Sequence, residues 1–113
     1  MRYYHNPRCS KSRQALALLR ERGIEPELVA YLDTPPDTAT LRALLGKLDI
    51  APRALLRTGE AEYKALGLDD ASLGDEAIIN AMAAHPILIE RPIFETGERA
   101  VIGRPPERVL ELL

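Results

Sequence analysis

Tyr3-Tyr4-His5-Asn6-Pro7-Arg8-Cys9-Ser10-Lys11-Ser12-Arg13 runs from a short apolar strand through a tight turn into the start of an amphipathic helix. Its centre is Cys9, the only cysteine of the chain. A thiol at the start of a helix faces unpaired backbone N–H groups and the positive end of the helix dipole, which favours a thiolate. Arg8, Lys11 and Arg13 add positive charge close by. Such surroundings lower a cysteine pKa from about 8.5 into the range of roughly 3.5–7.5, making the sulfur a nucleophile at neutral pH. A lone cysteine is more often a small buried hydrophobe. Arg8, Ser10, Lys11 and Ser12 are poor company for a core, so the reactive reading is the stronger one.

Working outward, residues 1–5 suit a strand that Asn6-Pro7 breaks. A helix follows from about Ser10 to Arg22, with Leu16, Leu19 and neighbouring alanines on its apolar face and Gly23 placed to end it. Glu25-Pro26 is a turn, and residues 27–32 read as a second strand. Strand, helix and strand within about 32 residues have the size of a right-handed βαβ unit with parallel strands. Asp33-Thr34-Pro35-Pro36 is a loop, after which Asp37 or Thr38 caps a helix with Leu41, Leu44, Leu45 and Leu48 on one side. Pro52 opens another helical turn through Arg57. Tyr63, Leu66 and Leu68 predict a short helical piece, and Ser72 or Asp75 starts a helix with Ala77, Ile78, Ala81 and Met82 inward. Residues 87–94 read as extended, with Pro92 confined to a strand start, an edge or a bend. Thr96-Gly97-Glu98 is a hairpin turn into the strand 99–102, and Pro105 or Pro106 opens a last helix through Leu113.

The order is therefore β-α-β, helical insertion, β-β-α. It predicts an α/β fold of thioredoxin-like arrangement with a four-stranded mixed sheet, a single domain over 1–113 with the insertion at about 37–85. Apolar residues make up 46% of the chain, which excludes a disordered one. The net charge of -2 gives no global case for nucleic acid or an anionic membrane as partner. One cysteine permits no intrachain disulfide, and neither a signal-peptide core nor an apolar run of the roughly 20 residues that cross a bilayer is present. A soluble, cytoplasmic monomer is expected. His5, His85 and Cys9 lack a recognisable ligand spacing, so no metal is expected.

Residues 4–13 closely resemble the active-site segment of the arsenate reductase family coupled to glutathione and glutaredoxin. The likeness continues through Tyr31-Leu32-Asp33-Thr34-Pro35, residues 53–57, residues 62–66, residues 85–93 and Gly103-Arg104-Pro105-Pro106-Glu107, in family order over essentially the whole chain. The resemblance implies a thioredoxin-like fold with a helical insertion. It implies that Cys9 attacks arsenate to form a covalent thiol-arsenic adduct, which glutathione and glutaredoxin reduce to release arsenite. It maps three oxyanion-binding arginines onto Arg57, Arg91 and Arg104. Arginine's planar fork of donors suits a tetrahedral oxyanion, and cations must offset the repulsion between thiolate and arsenate. Any one arginine taken alone reads as a solvated surface charge; Arg91 and Arg104 each precede a proline, where side-chain direction is well defined, while Arg57 has Arg53 as a rival one turn away.

The family motif also has a histidine at His5, which could orient the turn, stabilise the thiolate when protonated, or cap the strand end. Ser12 stands where dithiol thioredoxins have a second cysteine. Its hydroxyl could bond the Cys9 thiolate or cap the helix. Ser12 cannot resolve a disulfide, so an outside thiol must, which points to glutathione as co-substrate, glutaredoxin as partner and no bound cofactor. Pro92 matches the cis proline of thioredoxin-like folds, predicting a cis Arg91–Pro92 bond. Two other readings stand beside the reductase: a monothiol glutathione-linked oxidoreductase of another substrate, and a redox-sensing regulator that binds RNA polymerase. Ser12 breaks the Cys-x-x-Cys pattern that the regulators resemble.

Overall fold

The fold is described for all 113 residues by a computed structural model. The chain forms two compact units, Met1–Thr34 with Arg91–Leu113, and Pro35–Glu90.

The first unit holds β1 (Arg2–Tyr4), α1 (Ser10–Glu21), β2 (Glu27–Val29), and, after the second unit, two further strands over Ile93–Glu95 and Ala100–Ile102. These last are β3 and β4. The sheet order is β2-β1-β3-β4, with β1 parallel to β2 and antiparallel to β3, and β3 antiparallel to β4. This is the four-stranded mixed sheet that the element order predicts. Tyr3 pairs with Phe94 and Phe94 with Val101, so all three point to one face. There they form one core with Ala15, Leu16 and Leu19 of α1 and with Val109. Along α1 the buried residues are Ser12, Ala15, Leu16 and Leu19, the one-sided spacing of an amphipathic helix.

The end of α1 is fixed by backbone geometry. Gly23 takes the left-handed conformation at φ 76°, its N–H donates to Arg20 O, and Ile24 N–H reaches back to Leu19 O, both at 3.0 Å. This is a Schellman closure, and Ile24 packs against the same core.

The second unit is helical: α2 (Thr38–Leu48), α3 (Pro52–Leu55), α4 (Ala61–Ala65), α5 (Asp75–Ala84) and a 3₁₀ turn at Pro86–Leu88. Asp37 caps α2 by accepting from Thr40 N–H at 2.7 Å. Leu41, Leu44 and Leu45 of α2 are buried, as are Ile78, Ile79 and Met82 of α5, and Arg42 pairs with Glu76 between the two helices. Arg53 donates to Leu68 O and Asp70 O at 2.8 and 2.6 Å, tying α3 to the segment after α4.

Several elements differ from the sequence reading. β2 ends at Val29 because the chain turns there, with Asp33 and Thr34 N–H both donating to Ala30 O. Residues 87–94 are not one extended run. Pro86 starts a 3₁₀ turn, Ile89 makes a single bridge to Leu56, and the strand begins only at Ile93. The C-terminal helix is 3₁₀ over Pro106–Leu112, with Pro106 in its first turn. Ala77 and Ala81 are half-buried, and Ile79 takes a core position beside Ile78. The Arg91–Pro92 bond is cis, as expected; Arg104–Pro105 is cis as well. No helix is long and apolar enough to cross a membrane.

Gly103 has a steric requirement. A Cβ there would stand 2.9 Å from Pro92 Cγ, 3.1 Å from Val109 Cγ1 and 3.4 Å from Ala15 Cβ. The proline ring is rigid and the other two belong to packed helices. Gly103→Ala is therefore expected to destabilise the protein by about 1–3 kcal/mol through overpacking. A urea midpoint that falls at unchanged slope would show this; an unchanged midpoint would show that the site has slack.

Candidate functional site

The site is built where β1 gives way to α1. Asn6 closes the turn by accepting from Arg8 N–H through Oδ1 and from Cys9 N–H through its carbonyl, both at 3.0 Å. Arg13 Nη1 donates to Pro7 O at 2.8 Å and holds the loop against the helix. Cys9 occupies the N-cap position with extended backbone, and its carbonyl accepts the first helical bond, from Arg13 N–H. The N–H groups of Ser10, Lys11 and Ser12 precede that bond. No acidic residue lies in the first turn. The dipole and the free N–H groups of the helix start therefore act beside the sulfur uncompensated by a carboxylate.

Cys9 is buried, 8% exposed. Arg104 places Nη2 3.8 Å from its Sγ, and the same guanidinium donates from Nε to Arg91 O at 2.7 Å. One planar group thus joins the segment before β3, the segment after β4 and the sulfur. Arg91 is half-buried, with its Nε and Nη1 shielded from solvent. Cys9 and Arg104 are thus brought together directly, and Arg91 joins them through its carbonyl. Arg57 belongs to the helical unit. There its guanidinium pairs with Glu60 at 2.6 Å and Glu90 at 3.7 Å, and its N–H donates to Leu88 O.

Ser12 is completely buried, and its hydroxyl does neither of the two things read from the sequence. It lies 2.7 Å from His5 Nδ1 and accepts from Asn6 N–H at 3.1 Å, so it ties helix to loop instead of bonding the sulfur or capping the helix. His5 also donates its own N–H to Val29 O at 3.0 Å, joining the loop to β2. Burial pushes the His5 imidazole pKa down, and the charges of Arg20 and Arg13 push the same way. The environment therefore disfavours the protonated histidine.

Sequence reasoning passed over Tyr3. Its buried phenol donates to Ser12 O, its ring lies 5.5 Å from that of His5 at a 44° tilt, and burial pushes its pKa well above the ordinary tyrosine value. The alternation of Tyr3 and Tyr4 along a strand was the available signal, since only one of them can face α1. Glu60 and Glu90 were also passed over as counter-ions of Arg57; the three-residue spacing of Arg57 and Glu60 could have flagged the first. A cleft of about 630 Å³ opens beside the loop, lined by His5, Pro7, Leu16, Ala17 and the charged Arg13, Arg20 and Glu21.

The chain is similar to known proteins over nearly its whole length. The ArsC family profile matches residues 4–112. The protein YfgD of Escherichia coli (strain K12) is 55% identical over all of this chain and 96% of its own length. The arsenate reductase of Neisseria meningitidis (serogroup A, strain Z2491) is 48% identical, over all of this chain and 97% of its own. The solved structure of the arsenate reductase from Vibrio cholerae superposes with a TM-score of 0.97 at 49% identity, covering all of this chain and 98% of that one.

The His5 shift fixes the sign of a pH effect. An imidazole whose folded pKa lies below that of the unfolded chain makes the unfolded state bind the proton first as pH falls below about 6.5. Stability is then lost with falling pH through that window, down to the folded pKa. His5→Asn, which cannot protonate there, is expected to lose less stability than the native protein between pH 7.5 and 5.5. Parallel curves for the two proteins in urea would refute the assignment.

Proposed function

The chain belongs to the ArsC family, and from that premise we propose that it is an arsenate reductase that draws its electrons from glutathione and glutaredoxin. The observation that carries the reading is the Arg104 guanidinium, held by Arg91 O and facing Cys9 Sγ at the start of α1. It supplies a fixed donor both for a sulfur that gains negative charge and for an oxyanion approaching it.

In the proposed cycle Cys9 Sγ attacks the arsenic of arsenate. A sulfur-arsenic bond forms and one arsenate oxygen leaves as water. The repulsion between two anions opposes this step, and Arg104, Arg91 and the N–H groups at the start of α1 offset it. Arg57, placed in the anion site by the family resemblance, is the third arginine. Two electrons then come from two external thiols, one of glutathione and one of glutaredoxin. These end joined as a disulfide, the sulfur-arsenic bond breaks, arsenic leaves as arsenite and Cys9 is restored. No bound cofactor takes part; glutathione is a co-substrate. Ser12 and His5 hold the loop that presents Cys9. The reaction suits a monomer in the reducing cytoplasm.

The test is arsenate-dependent NADPH oxidation with glutathione, glutaredoxin and glutathione reductase supplied. Cys9→Ser is expected to abolish turnover. Arg91→Ala is expected to lower kcat/KM for arsenate by on the order of 10²–10³-fold, the usual cost of removing an anion-stabilising donor. A rate independent of glutaredoxin would remove that partner from the proposal. No arsenate-dependent rate from a native protein whose Cys9 still reacts with an alkylating reagent would sink the arsenate reading and leave a thiol oxidoreductase of another substrate.

A further inference from the structure

The structure assigns Ser12 as the positioning residue that locks His5 in one neutral tautomer, with the proton on Nε2, so that His5 serves the site as a hydrogen-bond donor and not as a positive charge. The assignment rests on hydrogen-bond bookkeeping and does not depend on arsenate being the substrate.

Ser12 is completely buried and its hydroxyl oxygen has two neighbours, Asn6 N at 3.1 Å and His5 Nδ1 at 2.7 Å. A backbone N–H can only donate, so toward Asn6 the oxygen is an acceptor. The hydroxyl has one proton to give, and a buried donor left without an acceptor is costly. His5 Nδ1 is the remaining partner. The proton therefore points at Nδ1, and Nδ1 must carry the lone pair. In a neutral imidazole the other nitrogen then bears the hydrogen. Tyr3 holds both ends of this contact, its phenol donating to Ser12 O and its ring lying against that of His5.

Protonating His5 would convert Nδ1 into a donor and leave the Ser12 proton with nothing to meet. The guanidinium charges of Arg13 and Arg20 act in the same direction. Arg13 and Arg20 of α1 border the larger cleft with Glu21, Arg8 and Asp33 border the smaller one, and Tyr3 contributes only its neutral ring from β1. His5 lines both clefts. With Nδ1 turned inward to Ser12, the Nε2 edge is the one available to an occupant of those clefts.

Two-bond ¹H–¹⁵N correlation spectra of labelled protein read the tautomer directly, with His85→Asn separating the two histidines. At pH 7.5 native His5 is expected to show an unprotonated Nδ1 and a protonated Nε2. Ser12→Ala is expected to give a mixture of both tautomers and a His5 titration midpoint moved up toward that of a free imidazole. Ser12→Thr, which keeps the hydroxyl, should restore the single tautomer. A protonated Nδ1 in the native protein would overturn the assignment, and so would an unchanged Nε2-H signature in Ser12→Ala. The native spectrum alone decides the first point, so a poorly folded variant leaves the proposal open to refutation. Loss of arsenate turnover bears on the proposed reaction and leaves these spectra untouched.

Discussion

The candidate site depends on one guanidinium that donates in two directions. Arg104 uses Nε on Arg91 O, which fixes the plane of the group, and Nη2 on Cys9 Sγ. A lysine could reach one of these partners but has no rigid fork with which to serve both at once. The arrangement holds only if the two segments flanking the β3–β4 hairpin meet the end of β1 in the right register. Tyr3 opposite Phe94, and Phe94 opposite Val101, set that register. Slipping it by one residue would turn Tyr3 out of the core and carry the hairpin ends away from the sulfur. The aromatic core and the sulfur–guanidinium contact are thus one constraint seen from two sides.

The helix that carries Cys9 is secured at both ends by different means. At its C-terminal end a left-handed glycine and two backbone bonds close the last turn. At its N-terminal end the closure comes from side chains, Ser12 toward the loop and Arg13 toward Pro7 O. Removing the Ser12 hydroxyl would leave a loop N–H and a ring nitrogen without their partner, a loss of about 1–3 kcal/mol. Burying a leucine such as Leu19 contributes about 1.5–3 kcal/mol. The N-terminal clamp is therefore comparable to a full core position, which explains why a polar residue takes a place on the buried stripe of α1.

Much of this was legible in the sequence, for reasons that separate clearly. The 3.6-residue period of Ala15, Leu16 and Leu19, with Gly23 past the end, defined α1 because local rules and tertiary packing agree there. Arg91 and Arg104 came from the family resemblance, and their places before prolines only strengthened them; Arg104 reaches the sulfur, while Arg91 meets that guanidinium through its carbonyl. Residues 87 and 88 differ from the extended reading because a short apolar run after a proline suits a 3₁₀ turn and a strand equally, and the bonds of Leu88 N–H to His85 O and Ile89 N–H to Pro86 O decide for the turn. The partners of Ser12 were not legible at all. A serine in a first helical turn has several acceptors and donors within reach, and which it takes depends on how the preceding loop folds back. Glu60 and Glu90 escaped notice for a similar reason, since opposite charges near Arg57 in sequence are ordinary on any helical surface.

The chemistry of Cys9 is set as much by what surrounds it as by what it lacks. Residues 1–20 contain five arginines and lysines and no acidic residue, in a chain whose net charge is -2. The field near the sulfur is therefore local and positive, suited to an anionic reactant, while the chain as a whole attracts none. No second thiol exists to displace whatever becomes bonded to the sulfur. Resolution must come from outside, yet the residue is only 8% exposed. A folded partner presenting its own cysteine would have to open the site to reach Sγ, whereas the end of a small flexible thiol need not. In the proposed cycle, burial would favour a low-molecular-weight thiol as the first reductant, with a protein thiol acting on the more accessible product of that step.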